Sequence, residues 1–339
     1  MAGIRLEFAQ FGHFDSFDVI RSLTSMVGVA DVDLPTPIAT GLKTMYYSDV
    51  NIVKGMTYYY KARVWRGTTS FLSDEIACLA GILWNPNILS SQIFLLADDL
   101  SESSVTSWND RKTGVTFNAP SVSSRPVLST LNGQKAVYFD GSDDGLQTNN
   151  ATITSILNNK NFGWIFVVIK KDGADINPTS RRIFTFENNA GAARLGFYSD
   201  DAIVGNVNKL VMGGRRLDAD TYDKVASTQD VHNQTVIACG LMNYSTREMK
   251  IMINGTQAAL KTATFAGGNT SATNSGLVTI GGVNGGSSYK GWIAAIVAGN
   301  TALSDTDRQK LEGWAAHKYG LTVNLPANHP YKNLMPTQD

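Results

Sequence analysis

The stretch TVIACGLMNYSTREMKIMINGTQAAL, residues 235–260, contains three apolar runs separated by two turn sequences. Asn254-Gly255 lies between the last two runs, and this pair adopts positive φ at little cost, as a two-residue type I′ hairpin requires. A second hairpin is expected around Asn243–Thr246. The stretch therefore predicts three neighbouring antiparallel strands in a meander.

The composition of the whole chain agrees with this local pattern. The 339 residues are 43% hydrophobic, which is enough for the cores of two or three domains. Thirty-one glycines among many Ser, Thr and Asn indicate a turn-rich β protein. Lys+Arg and Asp+Glu are equal at 29 each, so the chain lacks the basic excess of a nucleic-acid-binding protein. No apolar run approaches the roughly 18 residues of a membrane helix, so we expect no membrane insertion.

Two sandwich domains are expected along the chain. Residues 1–80 contain short runs with period-two character; in TYYYKARVW, residues 57–65, alternate side chains would face a core. The Gly, Pro, Asn and Ser of residues 81–92 indicate a boundary that packs against the domains. Residues 93–339 carry longer strand patterns, a helix and a tail, and are expected to form one larger domain. The predicted fold class is all-β.

One helix is expected near the end, in LSDTDRQKLEGWAAHKYGL, residues 303–321. Ser304 can cap its N-terminus, with Asp307 three residues later in a capping-box arrangement. Leu311, Trp314, Ala315 and Tyr319 would share one face, and Gly320 would end the helix. Such an amphipathic helix would pack on the edge or end of a sandwich.

Cysteines and tryptophans are expected to be structural. Cys78 and Cys239 lie far apart inside apolar runs, which indicates buried thiols and no disulfide framework. The N-terminus lacks the charged and apolar regions of a signal peptide, so synthesis in a cytoplasm is expected. Four tryptophans in apolar or motif contexts are predicted to lie in the core: Trp108, Trp164, Trp292 and Trp314.

Residues 88–335 resemble the concanavalin A-like, or laminin G-like, jelly-roll family. LNGQKAVYFDGSDDGLQT, residues 131–148, is similar to a family signature, and LLADDLSESSVTSWNDRKTGVTF, residues 95–117, is similar to the family's opening. Residues 277–321 resemble its closing strands and final helix. The tail NLPANHPYKNLMP, residues 324–336, is similar to endings of bacterial and bacteriophage members.

Residues 1–80 resemble a fibronectin type III-like module, through YYYKARVWRG at 58–67 and SFLSDEI at 70–76. The two resemblances together imply a non-catalytic bacteriophage virion protein of the tail, fibre or capsid decoration. They imply a virion location, assembly as a homo-oligomer with other virion proteins, and contact with a host-surface glycan or protein. The alternatives are a carbohydrate-binding adhesin or lectin module and, third, a glycoside hydrolase.

An acidic cluster within the family signature has three interpretations. Asp140, Asp143 and Asp144, with Gly141 and Gly145, are typical of a turn in which Asp side chains bind the backbone ahead of them. The same carboxylates could bind Ca²⁺, the one cofactor considered, although no EF-hand spacing is present. Catalysis by paired carboxylates is disfavoured, because the Glu-x-Asp-x-x-Glu string of the related hydrolases is missing from the sequence.

The loop GGRRLDADTYDK, residues 213–224, is the candidate ligand site. Aromatic rings stack on sugar rings, and carboxylates accept hydrogen bonds from sugar hydroxyls. The alternative is a solvated loop with local ion pairs, each worth about 0–1 kcal/mol. The candidate ligand-binding residues are Arg215, Arg216, Asp218, Asp220 and Tyr222.

Overall fold

The computed structural model describes residues 3–9, 12–81, 83–173, 181–187, 193–199, 208–263, 265–282 and 287–338. The chain forms two compact units, Met1–Trp84 with Asn333–Asp339, and Asn85–Lys332. Both units consist mainly of antiparallel sheets, which confirms the all-β class. No helix in the described ranges is long and apolar enough to cross a membrane.

The first unit contains a two-stranded and a five-stranded sheet. β1 pairs with β4, while β3, β2, β5 and β6 lie side by side and β7 also pairs with β5. Alternate residues of the central strand, Tyr58, Tyr60 and Ala62, are buried as predicted. The strands are β1 Ile4–Glu7, β2 Ser16–Ser22, β3 Ala39–Leu42, β4 Tyr46–Asp49, β5 Thr57–Arg66, β6 Thr69–Leu72 and β7 Ile76–Leu79.

The C-terminal tail folds into this first unit rather than with the larger domain to which the sequence pattern assigns it. The N–H of Met335 donates to the carbonyl of Gly55 at 3.2 Å, and the N–H of Trp84 donates to the carbonyl of Pro336 at 2.9 Å. The division of the chain after Trp84 lies inside the expected boundary, residues 81–92.

The second unit contains two eight-stranded sheets. The front sheet has the strand order β18-β17-β16-β15-β22-β13-β10-β9. The back sheet has the order β11-β12-β23-β14-β19-β20-β21, with β8 also paired to β23. The strands are β8 Ile93–Leu96, β9 Ser107–Asn109, β10 Thr116–Asn118, β11 Val127–Leu131, β12 Gln134–Asp140, β13 Leu146–Thr148, β14 Phe162–Lys171, β15 Arg181–Glu187, β16 Ala193–Ser199, β17 Leu210–Gly214, β18 Asp223–Ala226, β19 Thr235–Asn243, β20 Glu248–Ile253, β21 Thr256–Lys261, β22 Leu277–Ile280 and β23 Lys290–Gly299.

The inner faces of the two sheets form one apolar core. Val137, Phe139 and Leu146 are fully buried in it, as the alternation around the acidic cluster predicts. Full burial of such a side chain is worth about 1.5–3 kcal/mol. Trp108 belongs to the same core, and Trp164 is also buried, at 1% exposure.

Two tryptophans expected in the core are only half-buried. The Trp292 ring packs 4.7 Å from that of Tyr138, centroid to centroid. Both residues alternate with core residues of their strands, so they lie on the outer face of the back sheet. Trp314 packs edge-on against Phe94 at 5.9 Å. An apolar sequence context therefore does not distinguish the two faces of a sheet.

The local predictions of turn and helix are confirmed. Asn254 and Gly255 have φ angles of 49° and 80°, and strands β19, β20 and β21 are neighbours. α1 spans Ala151–Thr154 and α2 spans Asp305–Lys318. The Ser304 hydroxyl accepts the N–H of Asp307 at 3.0 Å and caps α2. Short 3₁₀ turns occupy Asp31–Asp33, Pro86–Ile88, Ala97–Asp99 and Thr322–Asn324.

Candidate functional site

A row of polar and small residues crosses the outer face of the front sheet. Phe184 and Phe186 of β15 face the core, so Thr185 between them faces outward. Strand register then aligns one residue from each neighbouring strand with Thr185. The row contains Lys224, Gly213, Gly196, Thr185, Thr279 and Gln147.

Two tyrosines lie against the glycines of this row. A Cβ on Gly196 would lie 2.2 Å from the Tyr198 hydroxyl oxygen, and a Cβ on Gly213 would lie 2.5 Å from that of Tyr222. Both contacts are too short for any side chain other than hydrogen at the glycine. The two glycines therefore let the tyrosine side chains lie close to the sheet. Tyr198 is buried and Tyr222 is half-buried.

A buried carboxylate lies on the same face. The Thr185 hydroxyl donates to Glu187 Oε1 at 2.9 Å and lies 2.7 Å from the Thr279 hydroxyl. Arg182 Nη1 lies 3.1 Å from the same Glu187 oxygen. The pairing compensates the cost of burying the charge. This arrangement fixes the Glu187 carboxylate beside two buried hydroxyl groups and a guanidinium.

The predicted ligand loop connects β17 to β18 and is held by its own charges. Arg215 Nη1 donates to the Asp218 carbonyl at 2.7 Å, and Arg216 Nε lies 3.4 Å from Asp220 Oδ2. The same Asp220 oxygen accepts the N–H of Leu217 at 2.9 Å. These contacts agree with the ion-pair interpretation of the loop.

Tyr222 links this predicted loop to a residue that the sequence pattern did not single out. Its hydroxyl donates to the Tyr198 hydroxyl at 2.8 Å, and Lys224 Nζ lies 5.7 Å from the centre of the Tyr222 ring. Tyr198 lies in ARLGFYS, residues 193–199, where alternation with Leu195 and Phe197 was the only signal of an outward position.

Arg194 is a second residue that the sequence pattern does not single out, and it lies under the loop. Its side chain is 1% exposed, and its Nη2 is 3.8 Å from Asp218 Oδ1. Its Nη1 donates to the Thr273 carbonyl, and its own carbonyl accepts the N–H of Arg215 at 3.2 Å. Burial lowers the pKa of the Arg194 guanidinium, and the Asp218 carboxylate opposes that shift.

The acidic cluster forms the predicted turn. Asp140 Oδ1 accepts the N–H of Ser142 at 2.7 Å, and Asp144 Oδ2 accepts the N–H of Asp140 at 2.8 Å. Gly141 has φ of 84°. Two of the carboxylates therefore fix the backbone, as in an Asx-turn.

The same cluster has the chemistry of a cation site. Within the described part of the chain it is the one group of at least three His, Cys, Asp or Glu residues close enough to hold a metal, with one oxygen from each within 4.8 Å of the others. Burial raises the pKa of Asp144 to about 6, with a further contribution from the charges of Asp140 and Asp143. The three oxygen ligands suit Ca²⁺, so calcium binding is the alternative to a purely structural turn.

No protein-family model and no curated protein matches the chain. It is similar in structure to domain 4 of AbnA, an extracellular arabinanase from Geobacillus stearothermophilus, in complex with arabinotriose, at 12% identity and a TM-score of 0.47 over 66% of this chain and 98% of that chain.

Two further similar structures come from sialidases. The Ruminococcus gnavus IT-sialidase CBM40 bound to alpha2,3 sialyllactose is 14% identical, with a TM-score of 0.39 over 51% of this chain and 92% of that chain. The Trypanosoma rangeli sialidase in complex with sialic acid is 14% identical, with a TM-score of 0.45 over 77% of this chain and 43% of that chain.

Proposed function

We propose that this protein binds carbohydrate without cleaving it, through the outer face of its front sheet. The observation that carries the proposal is the Tyr222–Tyr198 pair held against Gly196 and Gly213. Sugars present weakly polar C–H faces and edges of hydroxyl groups. A half-buried tyrosine ring fits the first feature, and its hydroxyl, which both donates and accepts, fits the second.

Polar groups beside the tyrosines suit the hydroxyl edge of a sugar. Glu187 provides a fixed acceptor, and Arg182 provides donors. The hydroxyl groups of Thr185 and Thr279 hydrogen-bond to each other next to Glu187. A few placed polar groups beside an aromatic side chain are typical of a small-molecule site.

A binding role rather than hydrolysis is supported by the partner of Glu187. Glycosidases generally use two carboxyl groups about 5–9.5 Å apart, one of which donates a proton. The charged group that pairs with Glu187 at 3.1 Å is the guanidinium of Arg182. The proposed role of Glu187 is therefore to accept hydrogen bonds.

The setting proposed for this activity is the surface of a bacteriophage particle. It rests on the sequence resemblance of both domains to modules of tail, fibre and decoration proteins. Many copies on one particle would raise the avidity of a weak glycan site without new contacts. Locating the chain by antibody labelling of purified particles tests this setting, and its recovery only outside particles would contradict it.

Binding is tested with a glycan array, using the full chain coupled to beads to give multivalent display. We expect the wild-type chain to bind at least one glycan class and Tyr222→Ala to bind it about tenfold less tightly, the effect of losing about 1.4 kcal/mol. Tyr138→Ala removes a half-buried tyrosine from the other sheet and should bind like wild type. Equal binding by wild type and Tyr222→Ala, or binding of no glycan, would contradict the proposal.

A further inference from the structure

Two arginines beside the proposed sugar site each have two buried donor atoms without a hydrogen-bond partner. Arg194 Nη2 and Arg215 Nη2 lie 3.8 and 4.0 Å from the same oxygen, Asp218 Oδ1. Both distances exceed a normal hydrogen bond. The Nε and Nη2 atoms of both arginines are buried and form no hydrogen bond. Leaving charged donors buried in this way is unfavourable, so the place between them is suited to an added acceptor.

The local charge also favours an anion. Arg216 forms an ion pair with Asp220 at 3.4 Å, whereas Arg194 and Arg215 share one carboxylate, that of Asp218. The side chain of Arg194 is 1% exposed, whereas that of Asp218 is 53% exposed. The Asp218 carboxylate therefore lies on the solvent side of the Arg194 and Arg215 guanidinium groups, and it can rotate away from them.

The backbones of the two arginines adjoin the glycines of the proposed sugar site. Arg194 is two residues from Gly196 on β16, so their Cα atoms are about 7 Å apart. Arg215 directly follows β17, and its N–H donates to the Arg194 carbonyl at 3.2 Å. Both arginines are thus neighbours, along the chain, of the glycines against which Tyr198 and Tyr222 pack.

We propose that Arg194 and Arg215 form the anion subsite of a glycan site, and that the ligand is an acidic sugar carrying a carboxylate or sulfate group. This inference rests on the proposed carbohydrate binding. The anionic group of the sugar binds between the two guanidinium groups and replaces the Asp218 carboxylate as their partner. The Asp218 side chain then turns outward. A planar guanidinium with paired N–H donors suits either oxyanion.

The first experiment separates the acidic group from the rest of the sugar. On an array of matched neutral, carboxylated and sulfated forms of the same glycans, we expect binding to the acidic forms at least tenfold tighter than to the neutral forms. The carboxylated and sulfated arms identify which group is bound. Binding of neutral and acidic forms alike would overturn this inference and leave the proposed function standing. Binding of no glycan at all would overturn both.

The second experiment uses Asp218→Asn, an exposed position. Removing the competing carboxylate should tighten binding of the acidic glycan about tenfold, because it takes away the ion-pair partner that the two arginines share. A purely structural Asp218 would leave affinity unchanged or weaken it. Unchanged or weaker binding by this variant would overturn the inference.

Arg215→Met tests the opposite direction and should bind the acidic glycan about tenfold less tightly. Arg111→Met is the matched control, because Arg111 pairs with Asp99 elsewhere in the same unit; its affinity should equal that of wild type. Thermal melting in sodium sulfate against sodium chloride at equal ionic strength shows whether the anion alone binds. Stabilisation by sulfate without any glycan preference would indicate an adventitious ion only and overturn the subsite.

Discussion

The hydroxyl of Tyr222 donates a hydrogen bond to the hydroxyl of Tyr198 at 2.8 Å. Tyr198 belongs to β16, and Tyr222 directly precedes β18, so the bond spans the intervening strand β17. The bond is possible because the residue of β17 against which Tyr222 packs is Gly213. A glycine within a sheet thus determines where the half-buried Tyr222 ring of the proposed site lies.

Gly213→Ala should displace the Tyr222 ring, since the new methyl would lie 2.5 Å from the hydroxyl oxygen. We expect a loss of about 1–3 kcal/mol in unfolding free energy, as for overpacking, together with weaker glycan binding. Tyr222→Phe keeps the ring but loses the hydroxyl bond to Tyr198, which should cost about 0.5–1.5 kcal/mol. Urea unfolding measures both, and an alanine variant as stable as wild type would contradict the close packing.

The buried charges at α2 predict a large difference between two variants that each remove one partner of Arg308. Glu312 is 2% exposed, accepts from Arg308 Nη1 at 2.6 Å and lies 3.1 Å from His329 Nε2. Glu312→Gln should destabilise the protein by about 3–5 kcal/mol, because it leaves Arg308 buried without its main counter-charge. Asp305 is 88% exposed, so Asp305→Asn should cost at most about 1 kcal/mol. Equal urea midpoints for the two variants would count against this assignment.

The raised pKa of Asp144 predicts that the effect of Asp144→Asn on the free energy of unfolding depends on pH. Folding raises the pKa from 3.8 to about 6, so ionisation is disfavoured in the folded state. Wild type therefore loses stability as the pH rises from about 4 to 6, and the asparagine variant does not. The stability of the variant relative to wild type should increase by up to about 3 kcal/mol between pH 4 and pH 7. Urea denaturation of both proteins at pH 4 and pH 7 measures this change. The same stability difference at both pH values would show that folding does not raise the pKa of Asp144.

The turn interpretation of the acidic cluster predicts little response to calcium. Asp140 and Asp144 already accept backbone N–H groups, and a bound cation would compete with those hydrogen bonds. We expect about 1 mM CaCl₂ to leave the melting temperature of wild type unchanged, because only binding to the folded state raises it. Stabilisation of wild type but not of Asp143→Asn would instead support the metal site.

Local sequence determined the elements of this fold. The Asn254-Gly255 turn and the Ser304 cap depend on backbone preferences and hydrogen bonds within a few residues, so they could be predicted from adjacent letters. The Asx-turn at Asp140 is equally local, because Asp140 and Asp144 bond backbone groups two to four residues away. The candidate loop with Tyr222 is also recognisable from the sequence, because its Arg, Asp and Tyr residues lie within twelve consecutive positions, 213–224.

Only the tertiary structure decided which strands meet. Thr185, Gly196 and Gly213 are far from Thr279 in sequence, yet strand order and register align them in one row. The same register brings Arg194 beside Arg215. Side-chain alternation along a strand divides its residues between two faces of the sheet. Pairing between distant segments then decides which face packs against the other sheet and which residues become neighbours across strands.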